Sequence, residues 1–84
     1  MFKDKNILIT GGTGSFGQEF VKLTLEKYSP RKIIVFSRDE MKQWEMSNNY
    51  KNNSKVRFLI GDVRDRERVY RAFRDVDFVV HAAA

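Results

Sequence analysis

Asn6-Ile-Leu-Ile-Thr-Gly-Gly-Thr-Gly-Ser-Phe-Gly-Gln-Glu-Phe20 is an apolar run that breaks into glycines and then resumes with a helical period. A short run of Ile and Leu with little alternation is what a strand buried on both faces requires. The glycines at 11, 12, 14 and 17 remove side chains from the turn that follows it. In a strand-turn-helix unit the N-terminus of the helix presents unpaired N–H groups and the positive end of the helix dipole. A pyrophosphate reaches that anion site only when the turn lacks Cβ atoms. Gly11, Gly14 and Gly17 match G-x-x-G-x-x-G, while Gly12, Gly14 and Gly17 match G-x-G-x-x-G, so spacing leaves the subtype open. A P-loop is excluded because no Gly-Lys-Ser/Thr follows.

Working outward, three further apolar runs read as strands: Lys32 to Phe36, Val56 to Ile60 and Val76 to Val80. Between the four strands lie segments of helical period, carried by Phe16, Phe20 and Leu23, then Met41 and Trp44, then Val69, Ala72, Phe73 and Val76. Asp39 and Asp65 stand where N-caps of the second and third helices belong, and Tyr28-Ser29-Pro30 ends the first. This β-α-β-α-β-α-β order predicts an α/β fold: a Rossmann-type, doubly wound parallel sheet with strand order 3-2-1-4, in its N-terminal portion. Two helices would cover one face and the third the other, leaving part of the second face and the outer edge of the fourth strand bare. Parallel sheets are rarely left so exposed, so residues 1–84 are expected to be the front portion of a longer polypeptide.

The 84 residues bound the rest of the reading. With no cysteine, disulfides and thiolate chemistry are excluded, as a reducing compartment tolerates. The first strand begins too close to Met1 to leave room for a signal peptide, and no apolar run approaches the roughly 18 residues of a membrane span. A cytoplasmic protein with no membrane partner is expected. The net charge of +5 suits nucleic acid, an anionic surface or a phosphorylated small molecule. Arg64, Arg66, Arg68, Arg71 and Arg74 make the third helical segment basic, but Asp65, Glu67 and Asp75 interleave with them and no aromatic platform accompanies them. A solvated helix surface is therefore expected rather than a nucleic-acid interface. Met41, Trp44 and Met46 read as packing, with Trp44 alternatively covering an edge left for a partner.

The second strand ends in Phe36-Ser-Arg-Asp-Glu-Met-Lys42. An NAD site places an acid here to accept from the adenosine ribose, whereas a nearby arginine suits a 2′-phosphate. Ser37 hydroxyl, Arg38 guanidinium and Lys42 ammonium can converge on a phosphate dianion, which favours NADP over NAD. The competing assignment makes Arg38 and Lys42 solvated charges and gives the ribose to Asp39. After the third strand, Asp62 of Gly61-Asp62-Val63 either accepts from the adenine amino group or serves a local turn. After the fourth strand, Ala82, Ala83 and Ala84 are small enough for a flat cofactor to lie against the backbone. His81, the sole histidine, lacks a carboxylate or nucleophile partner in the sequence pattern and reads as structural. No catalytic and no metal-ligating residue is identified.

Read in order, ILITGGTGSFG, IIVFSRDEMKQWEM, GDVRDRERV and DFVVHAAA span nearly the whole chain and resemble the N-terminal part of the extended short-chain dehydrogenase/reductases. The joint occurrence of TGGTGSFG with SRDE-x-K more narrowly resembles the inverting UDP-N-acetylglucosamine 4,6-dehydratases of bacterial polysaccharide and flagellin-sugar biosynthesis. The resemblance implies that Thr13, Gly14, Ser15 and Phe16 contact the pyrophosphate, within a turn made by Gly11 to Gly17. It gives the 2′-phosphate and ribose to Ser37, Arg38, Asp39, Glu40, Met41 and Lys42, the adenine to Asp62 and Val63, and the central part of NADP to Ala82. In that family bound NADP takes a hydride from C4 of the sugar, water leaves across C5 and C6, and the hydride returns at C6 with inversion at C5. The acid/base groups, an Asp-Lys pair and Tyr-x-x-x-Lys, are expected beyond Ala84. Tyr28 and Lys32 share the latter spacing by accident, since Pro30 between them breaks the helix that would align them. A UDP-sugar substrate and a homo-oligomer are implied for the full-length protein. The alternative is a non-catalytic dinucleotide-binding sensor or scaffold module of the same fold.

Overall fold

A computed structural model describes residues 2–82. Four parallel strands, β1 (Asn6–Thr10), β2 (Lys32–Ser37), β3 (Val56–Ile60) and β4 (Phe78–His81), form one sheet in the order β3-β2-β1-β4. Helices α1 (Ser15–Lys27), α2 (Glu40–Ser47) and α3 (Arg66–Ala72) connect them. The expected order 3-2-1-4 is therefore the observed one. Registers run from Asn6↔Lys32 to Thr10↔Phe36, from Ile33↔Val56 to Ser37↔Ile60, and from Ile7↔Phe78 to Thr10↔His81.

The alternation of side chains along each strand sorts the core into two layers. Ile9, Ile33, Val35 and Val56 meet Val21 of α1 and Met46 of α2 on one face. Leu8, Ile34 and Phe36 meet Ala72 of α3 on the other, with Val69 and Val76 packed against them. Every residue of β1 is buried, as a central parallel strand should be. The expectation of strands buried on both faces fails for β3 and β4. Arg57 is exposed and Phe58, Leu59 and Ile60 are half-buried, while Val79 keeps 45% of its surface. The cause is position: these are the two edges of the sheet, and among the described residues α3 is the one helix over the second face.

Three local expectations are corrected. β4 starts at Phe78, not Val76, because Asp75 takes a left-handed φ of 62° and the Val76 N–H returns to the Phe73 carbonyl at 3.1 Å. The chain then docks on β1 through Asp77 N–H to the Asn6 carbonyl and Asn6 N–H to the Asp77 carboxylate, both at 2.8 Å. The buried stripe of α1 is Gly17, Val21 and Thr24 rather than Phe16, Phe20 and Leu23. Phe16 is 59% exposed, and the half-buried Phe20 meets Phe2 edge-on at 6.1 Å between ring centres. In α2 the buried positions are Gln43 and Met46, while Met41 and Trp44 face outward. The expected stripes are out of phase with the buried faces, Phe20 alone of them packing against the core, where Gly17 approaches backbone closely and Gln43 meets its hydrogen-bond partners.

The expected caps form. Asp39 accepts from the Lys42 N–H at 3.0 Å and Asp65 from the Arg68 N–H at 3.2 Å, each meeting an orphan donor of its helix. At the end of α1 the Tyr28 N–H reaches the Thr24 carbonyl before Pro30, which is buried.

Candidate dinucleotide site

All four strands are parallel, so their C-terminal ends lie along one edge of the sheet, where an α/β fold opens its crevice. The turn after β1 is fixed by its own chain. Gly11 takes φ 67°, a left-handed conformation that favours glycine, and its N–H binds the Phe36 carbonyl at 2.9 Å. A Cβ on Gly12 would meet Val35 Cγ1 at 2.8 Å, and one on Gly17 would meet the Gly12 backbone at 2.5 Å. Gly14 differs: its φ of −77° is open to any residue, and a Cβ there would find nothing nearer than the Gly11 carbonyl oxygen at 3.6 Å. The protein's own packing therefore accounts for three of the glycines, and Gly14 alone leaves space that the protein does not use.

Gly14 is also the N-cap of α1, with no side-chain cap and no acid in the first turn. The 13-residue helix thus presents bare N–H groups and its positive end to solvent. A 330 Å³ cavity lies there, lined by Thr13, Gly14, Ser15, Gln18, Lys42, Glu45, Met46 and Asn49. Beside it a larger cavity of 470 Å³ is lined by Gly11, Thr13, Gly61, Asp62, Val63, Arg64 and the β2 end, Phe36 to Asp39, with Lys42. Thr13 and Lys42 border both cavities.

The structure thus gathers Gly11, Thr13, Gly14, Ser15, Ser37, Arg38, Asp39, Lys42, Asp62 and Val63 of the expected site. Phe16, Gly17, Glu40, Met41 and Ala82 line neither cavity. Gly17 lies behind the turn against Gly12, and Glu40 stands with Trp44 and Phe58. Ala82 is held by its N–H to the Thr10 carbonyl at 2.9 Å. Ala83 and Ala84 lie outside the described residues.

Charge is arranged around the larger cavity. Asp62 binds its neighbour Arg64 through both oxygens, at 2.8 Å to the terminal nitrogen, and accepts the Arg64 N–H at 2.9 Å. Those hydrogen bonds hold the Asp62 carboxyl well below the usual carboxylate range, with a smaller contribution from the Arg38 charge. Arg38 stands 3.5 Å from the same carboxylate and is largely exposed. An exposed pair of this kind contributes little to stability, so Arg38 is free to turn to another anion. The local-turn role weighed for Asp62 is met by the Arg64 N–H, and Asp62 also lines the cavity where the adenine was expected.

His81 Nδ1 lies 2.6 Å from the Thr10 hydroxyl, across the β1–β4 pair, so its partner is a hydroxyl rather than a carboxylate. Gln43 escaped the sequence reading, and Arg68 was expected only as a solvated helix charge. Gln43 is 5% exposed and donates to the Ser37 and Leu59 carbonyls and to Ser37 Oγ. Arg68 donates Nε–H to the Ile60 carbonyl at 2.8 Å, and its stem lies where a Cβ of Gly61 would be, 2.7 Å away. Gln43 lies off the stripe of Met41 and Trp44 and is polar, so neither period nor hydropathy marks it; nothing in the sequence signals the Arg68 contact.

A family model described as "Polysaccharide biosynthesis protein" matches residues 7–84. An inverting UDP-N-acetylglucosamine 4,6-dehydratase of Campylobacter jejuni is 63% identical over all of this chain and 25% of its own length. A UDP-glucose 4-epimerase of Rickettsia bellii is 50% identical, again over 100% of this chain and 25% of its own length. Among solved structures, Pen from Bacillus thuringiensis superposes with a TM-score of 0.93 at 40% identity, covering 100% of this chain and 26% of that one. The dTDP-glucose 4,6-dehydratase of Bacillus anthracis, in complex with NAD, gives a TM-score of 0.79 at 29% identity over 95% of this chain and 27% of that one. The chain spans about a quarter of the length of the curated relatives it matches. No helix among the described residues is long and apolar enough to cross a membrane.

Proposed function

The chain belongs to the polysaccharide biosynthesis protein family, and on that premise we propose that it is the NADP-binding portion of an inverting UDP-N-acetylglucosamine 4,6-dehydratase. The similarity to the Campylobacter enzyme supports the reaction class, and the NAD complex of the Bacillus anthracis dehydratase supports a nicotinamide dinucleotide. The observation that carries the reading is the pair of adjoining cavities, with an uncapped helix N-terminus facing one and Ser37, Arg38 and Lys42 lining the other.

The residues fit the group. Gly14 leaves room for a pyrophosphate that a Cβ would fill, and the N–H groups of the first turn of α1 would donate to it. Thr13 and Ser15 line the same approach. Arg38 and Lys42 supply positive charge for a 2′-phosphate, with Ser37 hydroxyl as a further donor. Asp39 accepts the Lys42 N–H through one carboxylate oxygen and so serves as the cap of α2 in this reading, while its other oxygen stays open to the cavity's ligand. When bound, the nicotinamide supplies reversible hydride exchange. The portion described supplies no partnered acid or base, so proton transfer falls to residues outside it. A UDP-sugar substrate, a homo-oligomer and a cytoplasmic location belong to the same proposal.

The 50% identity to the Rickettsia protein favours a second reading, in which the same portion serves a UDP-glucose 4-epimerase. Incubating the full-length protein with UDP-N-acetylglucosamine and with UDP-glucose separates the two. Loss of one water from the first substrate, read by mass spectrometry, supports the dehydratase. Epimerised UDP-glucose without loss of water overturns it.

A further inference from the structure

We propose that Gln43 sets the selectivity of this site for a 2′-phosphate by holding the Ser37 hydroxyl as a donor into the larger cavity. The inference rests on the NADP reading above and adds a positioning residue to it.

Gln43 is a polar side chain buried in the first turns of α2, and burial of an amide is costly unless its hydrogen bonds are met. Its Nε2 lies 2.7 Å from the Leu59 carbonyl, 3.3 Å from the Ser37 carbonyl and 3.0 Å from Ser37 Oγ. Two of these three groups are carbonyls, which only accept, so the nitrogen end of the amide must face them and the orientation is determined. An NH₂ group has two protons: one serves Leu59 and the other is shared between the two oxygens of Ser37. Ser37 Oγ is therefore an acceptor toward the protein, and its own proton is left to point elsewhere.

Elsewhere is the cavity. Ser37 is 7% exposed, and the space it borders is also lined by Arg38 and Lys42. A hydroxyl that already accepts from the protein on one side and whose proton is free matches an acceptor-only dianion between two cations. A ribose hydroxyl, which is itself a donor, gains less from such a partner. Without Gln43, the Ser37 proton would be free to turn to the neighbouring carbonyls instead.

The test uses the full-length protein, with dissociation constants for NADP and NAD measured by calorimetry in wild type, Ser37→Ala, Gln43→Met and the double variant. Ser37→Ala is expected to weaken NADP about tenfold, and Gln43→Met about three- to tenfold, with NAD changed by less than about twofold in both. In the Ser37→Ala background, Gln43→Met should no longer alter the NADP-to-NAD ratio, because its target is gone. Equal weakening of both cofactors by Gln43→Met means that it merely ties α2 to the strands, and overturns the proposal. An unchanged ratio in Ser37→Ala overturns it too, even if Gln43→Met does not fold. A wild type that prefers NAD instead defeats the NADP reading itself, and is told apart because it shows before any variant is made.

Discussion

Gly17 rests directly on Gly12: a Cβ on the first would stand 2.5 Å from the Cα and carbonyl oxygen of the second. This contact lets the start of α1 lie on the turn after β1, and it fixes which side of the helix faces the sheet. Gly14, three positions earlier, has no such neighbour. Gly17→Ala should cost about 3 kcal/mol, since backbone rather than a flexible side chain would have to move. Gly14→Ala should leave stability within about 1 kcal/mol while weakening dinucleotide binding at least about tenfold. Urea unfolding and a nucleotide titration of the full-length protein check the contrast. Equal stability losses in the two variants would contradict it.

Arg38 is exposed and only loosely paired with Asp62, so it is available for a charged ligand. Arg38→Ala should weaken NADP by about 1.5 to 3 kcal/mol, roughly 10- to 150-fold, and spare NAD. Added salt should narrow the same gap in the wild type. Calorimetry with both cofactors reads the outcome; equal weakening would return the ribose to Asp39.

Hydrogen bonds from Arg64 hold the Asp62 carboxyl below its ordinary value. A carboxylate depressed in the folded state adds stability above its unfolded pKa, about 3.9, and that stability is lost as pH falls through the lower, folded value. Asp62 should thus remain ionised through mild acid, keeping the cavity's charge constant there. An NMR titration should place its midpoint below that of an unfolded aspartate, and Arg64→Ala should bring it back up. A midpoint unmoved by that substitution would show that Arg64 is not the cause.

Asp39 caps α2 through its side chain. Asp39→Ala should lower stability by about 1 kcal/mol, whereas Asp39→Asn keeps the cap and should lose only a few tenths. Because the carboxylate is not assigned to the ribose, Asp39→Asn should leave affinity for either cofactor within about threefold. Thermal melts and the same calorimetry check both halves, and a selective loss of NAD would reinstate Asp39 as the ribose acceptor.

Much of this was legible in the residues. Four runs of Ile, Val, Leu and Phe separated by helical segments gave the strands and their parallel sense, because parallel strands need a crossover between each pair, and the order followed once the chain was taken to reverse after the third strand. Asp39 and Asp65 were readable as caps because capping is local chemistry. The faces of α1 and α2 were not. Phe16 and Trp44 are large apolar residues of their stripes yet stand outside, since the sequence shows periodicity but not the contact that sets its phase. Gln43 was hidden for the same reason: its acceptors, Ser37 and Leu59, lie on two different strands and meet it only in the folded chain. The depressed Asp62 likewise depends on where Arg64 turns.

The division of labour among the turn glycines bears on how such chains diverge. Gly11 answers to its backbone angle, Gly17 to the backbone beneath it and Gly12 to the side chains of Val35 and Ile9, so a descendant that had abandoned its nucleotide would still be held to glycine at all three. Drift would be permitted at Gly14, where alanine or serine meets no neighbour. A pattern that weighs every glycine of the fingerprint alike therefore registers mostly ancestry of the fold. The letter at the fourteenth position carries what the pattern has to say about retained function.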